Sequence, residues 1–179
     1  GFATTIGVTL SKDGTTVTVS DNGRGIPVDI HPKHGRSALE LILTTLHAGG
    51  KFDANNYITS GGLHGVGSSV VNALSSKLVA TIVRGGKKHR QEYRRGKPRG
   101  PVEVISEGRG SGTTIQFTPD DEIFGGLTFD PNHIRERLEV STYLNKGMKI
   151  VFKDECAGTR EEIQHDGGVC DFLEHTIAA

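Results

Sequence analysis

Thr16-Val17-Thr18-Val19-Ser20-Asp21-Asn22-Gly23-Arg24-Gly25-Ile26-Pro27 is the stretch on which the reading of this chain turns. Its first five residues alternate apolar and hydroxyl side chains, the period of a half-buried strand. From Asn22 the pattern dissolves into glycine and proline, so Asp21 stands where a strand breaks into a turn. Further on, Gly61-Gly62-Leu63-His64-Gly65-Val66-Gly67 runs straight into Ser68-Ser69-Val70-Val71-Asn72-Ala73-Leu74, whose apolar spacing is helical. A carboxylate at a strand end and a glycine loop opening a helix are the two halves of a nucleotide pocket. The helix start offers unpaired N–H groups and a positive dipole end to phosphate, and glycine lets a ligand approach the backbone. Together they make nucleotide binding the leading reading.

The bulk numbers narrow the alternatives. At 179 residues the chain fits one domain with a sizeable core. Charges balance at 21 basic against 21 acidic, so no global field recruits nucleic acid or membrane. Cys156 and Cys170, the two cysteines, give neither a disulfide framework nor zinc spacing, which suits a reducing cytoplasm. No apolar stretch approaches the roughly 20 residues needed to cross a bilayer, and no signal-peptide pattern appears. Twenty-five glycines without a period argue for many turns. The chain lacks an initiator methionine and enters its first strand almost at once, so it reads as an excerpt beginning after an upstream element.

Working outward, residues 6–10 and 15–20 alternate on either side of Asp13-Gly14, a hairpin signature. Residues 37–46 put Leu39, Ile42, Leu43 and Leu46 on one helical face. Residues 48–62 have no period and read as a long mobile loop; a second helix spans about 66–75. Strands follow at 77–84, 87–94, 102–105 and 113–118, with Gly85-Gly86 as the first turn. Asp130-Pro131 starts a helix that Gly147 stops, and a last hairpin at 148–153 and 160–165 precedes a terminal helix from Val169. Strands dominate the middle, so the pattern predicts an α+β two-layer sandwich, a mixed sheet with helices on one face. The absence of GxGxxG and of GxxxxGK[ST] disfavours the Rossmann and P-loop folds.

Asp21 is the first candidate for chemistry: a pocket carboxylate accepts from an exocyclic amino group and so selects adenine over a keto base. The plainer alternative is an Asp that caps its own turn through Asn22 and Gly23. Thr113, after Ser111-Gly112, can add a hydroxyl to the same base or be an ordinary strand threonine. Lys51, Tyr57 and His64 sit in the loop and can meet phosphate, or can be solvated loop residues. A glycine-bounded segment feeding a phosphate-binding helix reads as a lid. Between Arg84 and Arg99, six further cations face only Glu92, which reads as a solvated hairpin or as a phosphate-backbone track. Asp29, His31 and His34 lack a further ligand pair, so a metal site is disfavoured.

DNGRGIP at 21–27, LHAGGKFD at 46–53 and SGGLHGVGSSVVNALS at 60–75 resemble the ATPase domain of bacterial DNA gyrase B subunits. The B-type chain of topoisomerase IV is very similar. The likeness is strongest over 17–75 and fainter beyond 120. It implies a Bergerat-type (GHKL) ATPase sandwich over 1–179 that binds ATP with Mg2+, with an ATP lid at 47–64. In that resemblance Asp21 takes the adenine amino group beside Thr113, and Gly25, Ile26 and Pro27 wall the base. Lys51 and Tyr57 belong to the lid, and Leu63, His64, Gly65, Val66 and Gly67 present backbone to the phosphates. Arg24 and Arg84 line the outer mouth, where aminocoumarin inhibitors bind in the family. The resemblance also implies, for the full-length cytoplasmic enzyme, a gyrase A partner, DNA, homodimerisation of gyrase B on ATP binding, and no membrane.

The family's general-base glutamate and magnesium-binding asparagine are expected upstream of Gly1, so no catalytic residue and no metal ligand is assigned within these 179 residues. Asp13 is the one acid before Asp21 and belongs to a hairpin turn. Two rival readings stay open: an ATP switch of the same fold outside the topoisomerases, and a basic nucleic-acid-binding domain using residues 84–99.

Overall fold

The computed structural model describes residues 3–46 and 66–178. The Asp13-Gly14 turn joins β1 (Thr5–Leu10) and β2 (Val17–Asp21) as an antiparallel pair. Asp13 accepts from the Ser11 hydroxyl and the Thr15 N–H, and Gly14 takes a left-handed φ of 72°. After α1 (Ala38–Thr44) and α2 (Gly67–Ala73) come β3 (Ser75–Arg84) and β4 (Lys87–Arg94). Two short strands, β5 (Lys97–Pro98) and β6 (Glu103–Glu107), lie on the outer edge of β4. β7 (Gly112–Pro119), α3 (Asp121–Phe124) and α4 (Pro131–Leu144) lead to β8 (Lys149–Asp154), β9 (Thr159–Ile163) and α5 (Val169–Ala178). The sheet runs β5-β4-β3-β7-β2-β1-β8-β9, with β6 also paired to β4. Among the described strands only β1 and β8 pair in parallel, so the sheet is mixed, as the strand-rich middle predicts.

Strand alternation divides the sheet into an apolar and a polar face. Directly opposed residues share a face, so Tyr93, Leu78, Phe117, Val17 and Leu10 form one apolar row. Two clusters grow on that side. Leu39 and Leu43 of α1 pack on Leu78, Ala80 and Ile82, with Val71 of α2 beside them. Ile134 and Leu138 of α4 pack near Val8, Val17 and Phe152. Phe117 borders both clusters. These three helices therefore cover one face, giving the two-layer sandwich.

Local signals set most boundaries. Ser37 caps α1 by accepting from the Glu40 N–H at 3.0 Å, and Asp130 caps α4 through the Asn132 N–H at 2.9 Å, with Pro131 first in the helix. The expected stripe on α1 needs one correction. Leu46 lies beyond the C-cap Thr45 and is 60% exposed, while Leu41 is buried instead. The helix ends sooner, and its orphaned Leu43 carbonyl accepts from the buried Asn72 side chain of α2 at 2.8 Å. The sequence reading also missed β5 and α3. The expected long loop and lid lie outside the described residues.

Asp120 closes the far end of β7, bonded to the Arg95 guanidinium, which also meets Glu122. The Arg95 hydrogen bond, more than any other influence, holds the Asp120 carboxyl below its ordinary 3.8. A depressed folded-state value stabilises the protein above the unfolded-state value, and that contribution disappears as pH falls through the folded one. Asp120→Asn is therefore expected to destabilise the protein at neutral pH and to make unfolding less steeply acid-dependent below about pH 4. Urea titrations of both proteins at neutral and acid pH check this; a constant difference between them would refute it.

Candidate functional site

The site lies where β2 ends. Val17 and Val19 face the helices, and the same period puts Asp21 on that face too, opposite Ile6 of β1. On the other side, Val17 opposes Phe117 and Val19 opposes Ile115, so one further step brings Thr113 alongside Asp21. Thr113 in turn opposes Ile82 of β3. Asp21, Thr113 and Ile82 thus form one row on the inner face, at the end where β2 turns. Val19 lies on the apolar face yet is 36% exposed, unlike Val8 at 4%. An accessible apolar floor therefore leads up to a carboxylate and a hydroxyl.

The turn after β2 folds back over this row. The Asp21 Oδ1 accepts from the Gly23 N–H at 2.8 Å, so the carboxylate does cap its own turn. One oxygen does so; among the described residues, the other accepts no hydrogen bond. Gly25 follows at φ 74°, where a Cβ would stand 2.7 Å from the Val83 carbonyl oxygen. Only glycine lets the chain press so closely on β3. The Ile26 N–H then donates to Thr113 Oγ1 at 3.3 Å, and the Ile26 side chain joins the first core cluster. The Arg84 guanidinium reaches back to the Gly25 and Arg24 carbonyl oxygens at 3.0 and 3.3 Å. The Asn22 side chain accepts from the Thr4 and Thr5 N–H groups and donates to the Thr4 hydroxyl, tying the turn to the start of β1.

Half of the fourteen predicted residues therefore come together. Asp21, Arg24, Gly25, Ile26, Thr113 and Arg84 form one continuous corner, with Pro27 exposed at its rim. Val66 is the N-cap of α2 without a side-chain cap bond, and a Cβ on Gly67 would meet nothing within 4 Å. Lys51, Tyr57, Leu63, His64 and Gly65 lie outside the described residues. Two residues that hold the corner were not foreseen as part of it, Asn22 and Gly112. A Cβ on Gly112 would fall well inside contact distance of the Asp21 carbonyl oxygen. Its signal was the last glycine of Gly108-Arg109-Gly110-Ser111-Gly112, at the start of β7, a place where glycine can mark close backbone approach. Among the described residues no group of three His, Cys, Asp or Glu side chains that could hold a metal ion comes together.

Residues 1–123 match the family model described as histidine kinase-, DNA gyrase B- and HSP90-like ATPase. The chain belongs to that ATPase family. Among curated relatives, it is similar to DNA gyrase B of Thermotoga maritima, with 51% identity over 98% of this chain and 27% of the relative. Gyrase B of Thermus thermophilus is 52% identical over 97% of this chain and 28% of its own length. The B-type chain of DNA topoisomerase 4 from Caulobacter vibrioides is 46% identical over 97% and 26% respectively. The crystal structure of the 43K ATPase domain of Thermus thermophilus gyrase B, in complex with an aminocoumarin, superposes with a TM-score of 0.86. It shares 44% identity and covers 98% of this chain and 44% of that one. Within the ATPase family, sequence and fold are similar to those of gyrase B ATPase domains, and the chain spans about a quarter of its curated relatives' length.

In this corner Thr113→Val keeps the shape and removes the acceptor of the Ile26 N–H. The loss is expected to cost about 1–2 kcal/mol of stability, the penalty of an unpaired donor. A shift in the urea midpoint at constant slope checks it, and Thr113→Ser is expected to restore most of the loss.

Proposed function

We propose that this chain is the nucleotide-binding part of a gyrase B ATPase domain and that it takes ATP at the Asp21–Thr113 corner. The carrying observation is the carboxylate with one oxygen committed to Gly23 and the other left for a ligand, on an accessible apolar floor. An adenine amino group donates to that oxygen, whereas guanine would present a carbonyl and set acceptor against acceptor. Arg84 and Gly25 keep the turn at the right distance for the base to lie against Ile26 and Pro27. Lys51, Tyr57, Leu63, His64, Gly65, Val66 and Gly67 are assigned to ribose and phosphates on the strength of the family motif. Arg24 and Arg84 are assigned to the outer mouth. The Thermus domain forms a complex with an aminocoumarin, which makes that class of compound a natural probe of these two arginines.

Magnesium accompanies the triphosphate in this reading. Among the described residues no cluster of three His, Cys, Asp or Glu side chains is available to hold it. In the full-length protein this domain would power ATP-dependent supercoiling with a gyrase A partner and DNA, as a gyrase B dimer in the cytoplasm. The B-type chain of topoisomerase IV is a second reading. Its support is the 46% identity to the Caulobacter protein, against 45% to gyrase B of Helicobacter pylori.

The test is thermal. ATP at about one hundred times its Kd is expected to stabilise the protein by about 2.7 kcal/mol, or roughly 5–10 °C, with GTP giving no rise. Equal shifts from ATP and GTP would overturn the assignment of Asp21. Hydrolysis by these 179 residues alone is expected to be slow. Asp13, the one acid before Asp21, is fixed in its turn by Ser11 and Thr15. It stands at the other end of β2, ~15 Å from the corner. Steady-state turnover matching that of a longer gyrase B ATPase domain would sink this expectation.

A further inference from the structure

The sheet has a second face, opposite the helices and the nucleotide corner. One of its rows reads Lys97, Arg94, Lys77, Thr118, Thr16 across five strands or strand ends. Arg94 opposes Lys97, and Lys77 opposes Thr118. Lys77 and Arg94 lie one step beyond the Leu78–Tyr93 pair, and the Thr118 and Thr16 hydroxyls are 2.8 Å apart. All three cations are exposed. Like charges directly opposed across strands destabilise a sheet. Here three stand side by side, and the ion pairs of the acids around them go elsewhere, Glu92 to Arg90 and Asp120 and Glu122 to Arg95, although Arg94 is near enough to act on Asp120 through space. Among the described residues none of the three forms an ion pair. In a chain with no net charge, this row is a concentrated positive strip on a hydroxyl-bearing sheet face.

We propose that the Lys77–Arg94–Lys97 row is a docking rail for the phosphate backbone of duplex DNA. The choice of DNA among polyanions rests on the gyrase B reading above. The charge pattern fits it. Point charges and hydroxyls in a row on a rigid sheet contact phosphates without reading bases, so binding is independent of sequence. The rail and the nucleotide corner occupy opposite faces, so DNA and ATP bind together rather than in competition.

The experiment uses a short labelled duplex, fluorescence anisotropy and a salt series starting near about 50 mM. The parent is compared with Lys77→Gln/Arg94→Gln/Lys97→Gln. A charge-matched control, Lys12→Gln/Lys33→Gln/Arg137→Gln, changes exposed cations elsewhere. The rail variant is expected to make the slope of log K against log salt less negative by up to about 2.7, with the control close to the parent. Its ATP-dependent melting rise should be unchanged. No binding by the parent at the lowest salt, or an equal loss in the control, overturns the proposal. Phosphatidylserine vesicles retained by the parent and released by the rail variant, with DNA binding unaltered, would assign the row to a lipid surface instead. Absence of the ATP rise in the parent would defeat the nucleotide reading, whatever the DNA result.

Discussion

Asp21→Asn is expected to abolish the ATP-dependent rise in melting temperature while barely moving that of the free protein. The carboxylate serves two donors at once, the Gly23 N–H at 2.8 Å and, in the proposed complex, the adenine amino group. Asparagine has a single acceptor oxygen. If that oxygen faces Gly23, the amide nitrogen confronts the base donor to donor; if it turns to the base, Gly23 loses its partner. Loss of a charged hydrogen bond plus an opposed donor amounts to about 3 kcal/mol, more than 100-fold in affinity. The free protein keeps the turn by leaving the oxygen on Gly23. Calorimetric titration with ATP measures the loss, and affinity within tenfold of the parent would show that Asp21 is only a turn cap.

Gly112→Ala is the larger structural perturbation. Gly112 pairs with Val83 of β3, and on the opposite side the space for a Cβ is filled by the Asp21 backbone carbonyl. Backbone held in a ladder on both sides cannot give way as a flexible side chain can. The methyl group is expected to cost about 3 kcal/mol, at the upper end for overpacking, which lowers the melting temperature by roughly 6–12 °C. Because the displaced atoms belong to Asp21, ATP affinity should fall as well. Ser111→Ala, at an exposed neighbouring position, is the control and should do neither. Should Gly112→Ala melt with the parent, the close approach does not shape the corner.

How much of this was legible beforehand depended on range. Asp13-Gly14 and Asp130-Pro131 carry their structure in adjacent residues, and the hairpin and α4 stand where those signals put them. Leu46 misled because helical spacing says nothing of where a helix stops, and α1 ends at a carbonyl claimed by Asn72, 29 residues away. The candidate corner was half legible. DNGRGIP marks Asp21 and the glycine turn, but the meeting of Asp21 with Thr113 is a matter of register between β2 and β7, which no local pattern encodes. β5 is two residues long and α3 four, too short for any period to show.

The parallel pairing of β1 with β8 has a kinetic consequence. Every strand from β5 across to β1 is complete once residue 119 has been made, and so are all the contacts that hold Asp21, Gly25 and Thr113. β8 and β9, from residue 149 onward, merely extend the far side. A chain emerging from the ribosome can therefore form its Asp21–Thr113 corner while the outer edge of β1 still lacks a neighbour. At about 5–20 residues per second the thirty or so residues to β8 take seconds to appear. During that interval the second apolar cluster has Val8, Leu10 and Val17 in place but not Phe152. Nucleotide captured early at the proposed site would hold that unfinished intermediate together, so the ligand would act first as a folding aid.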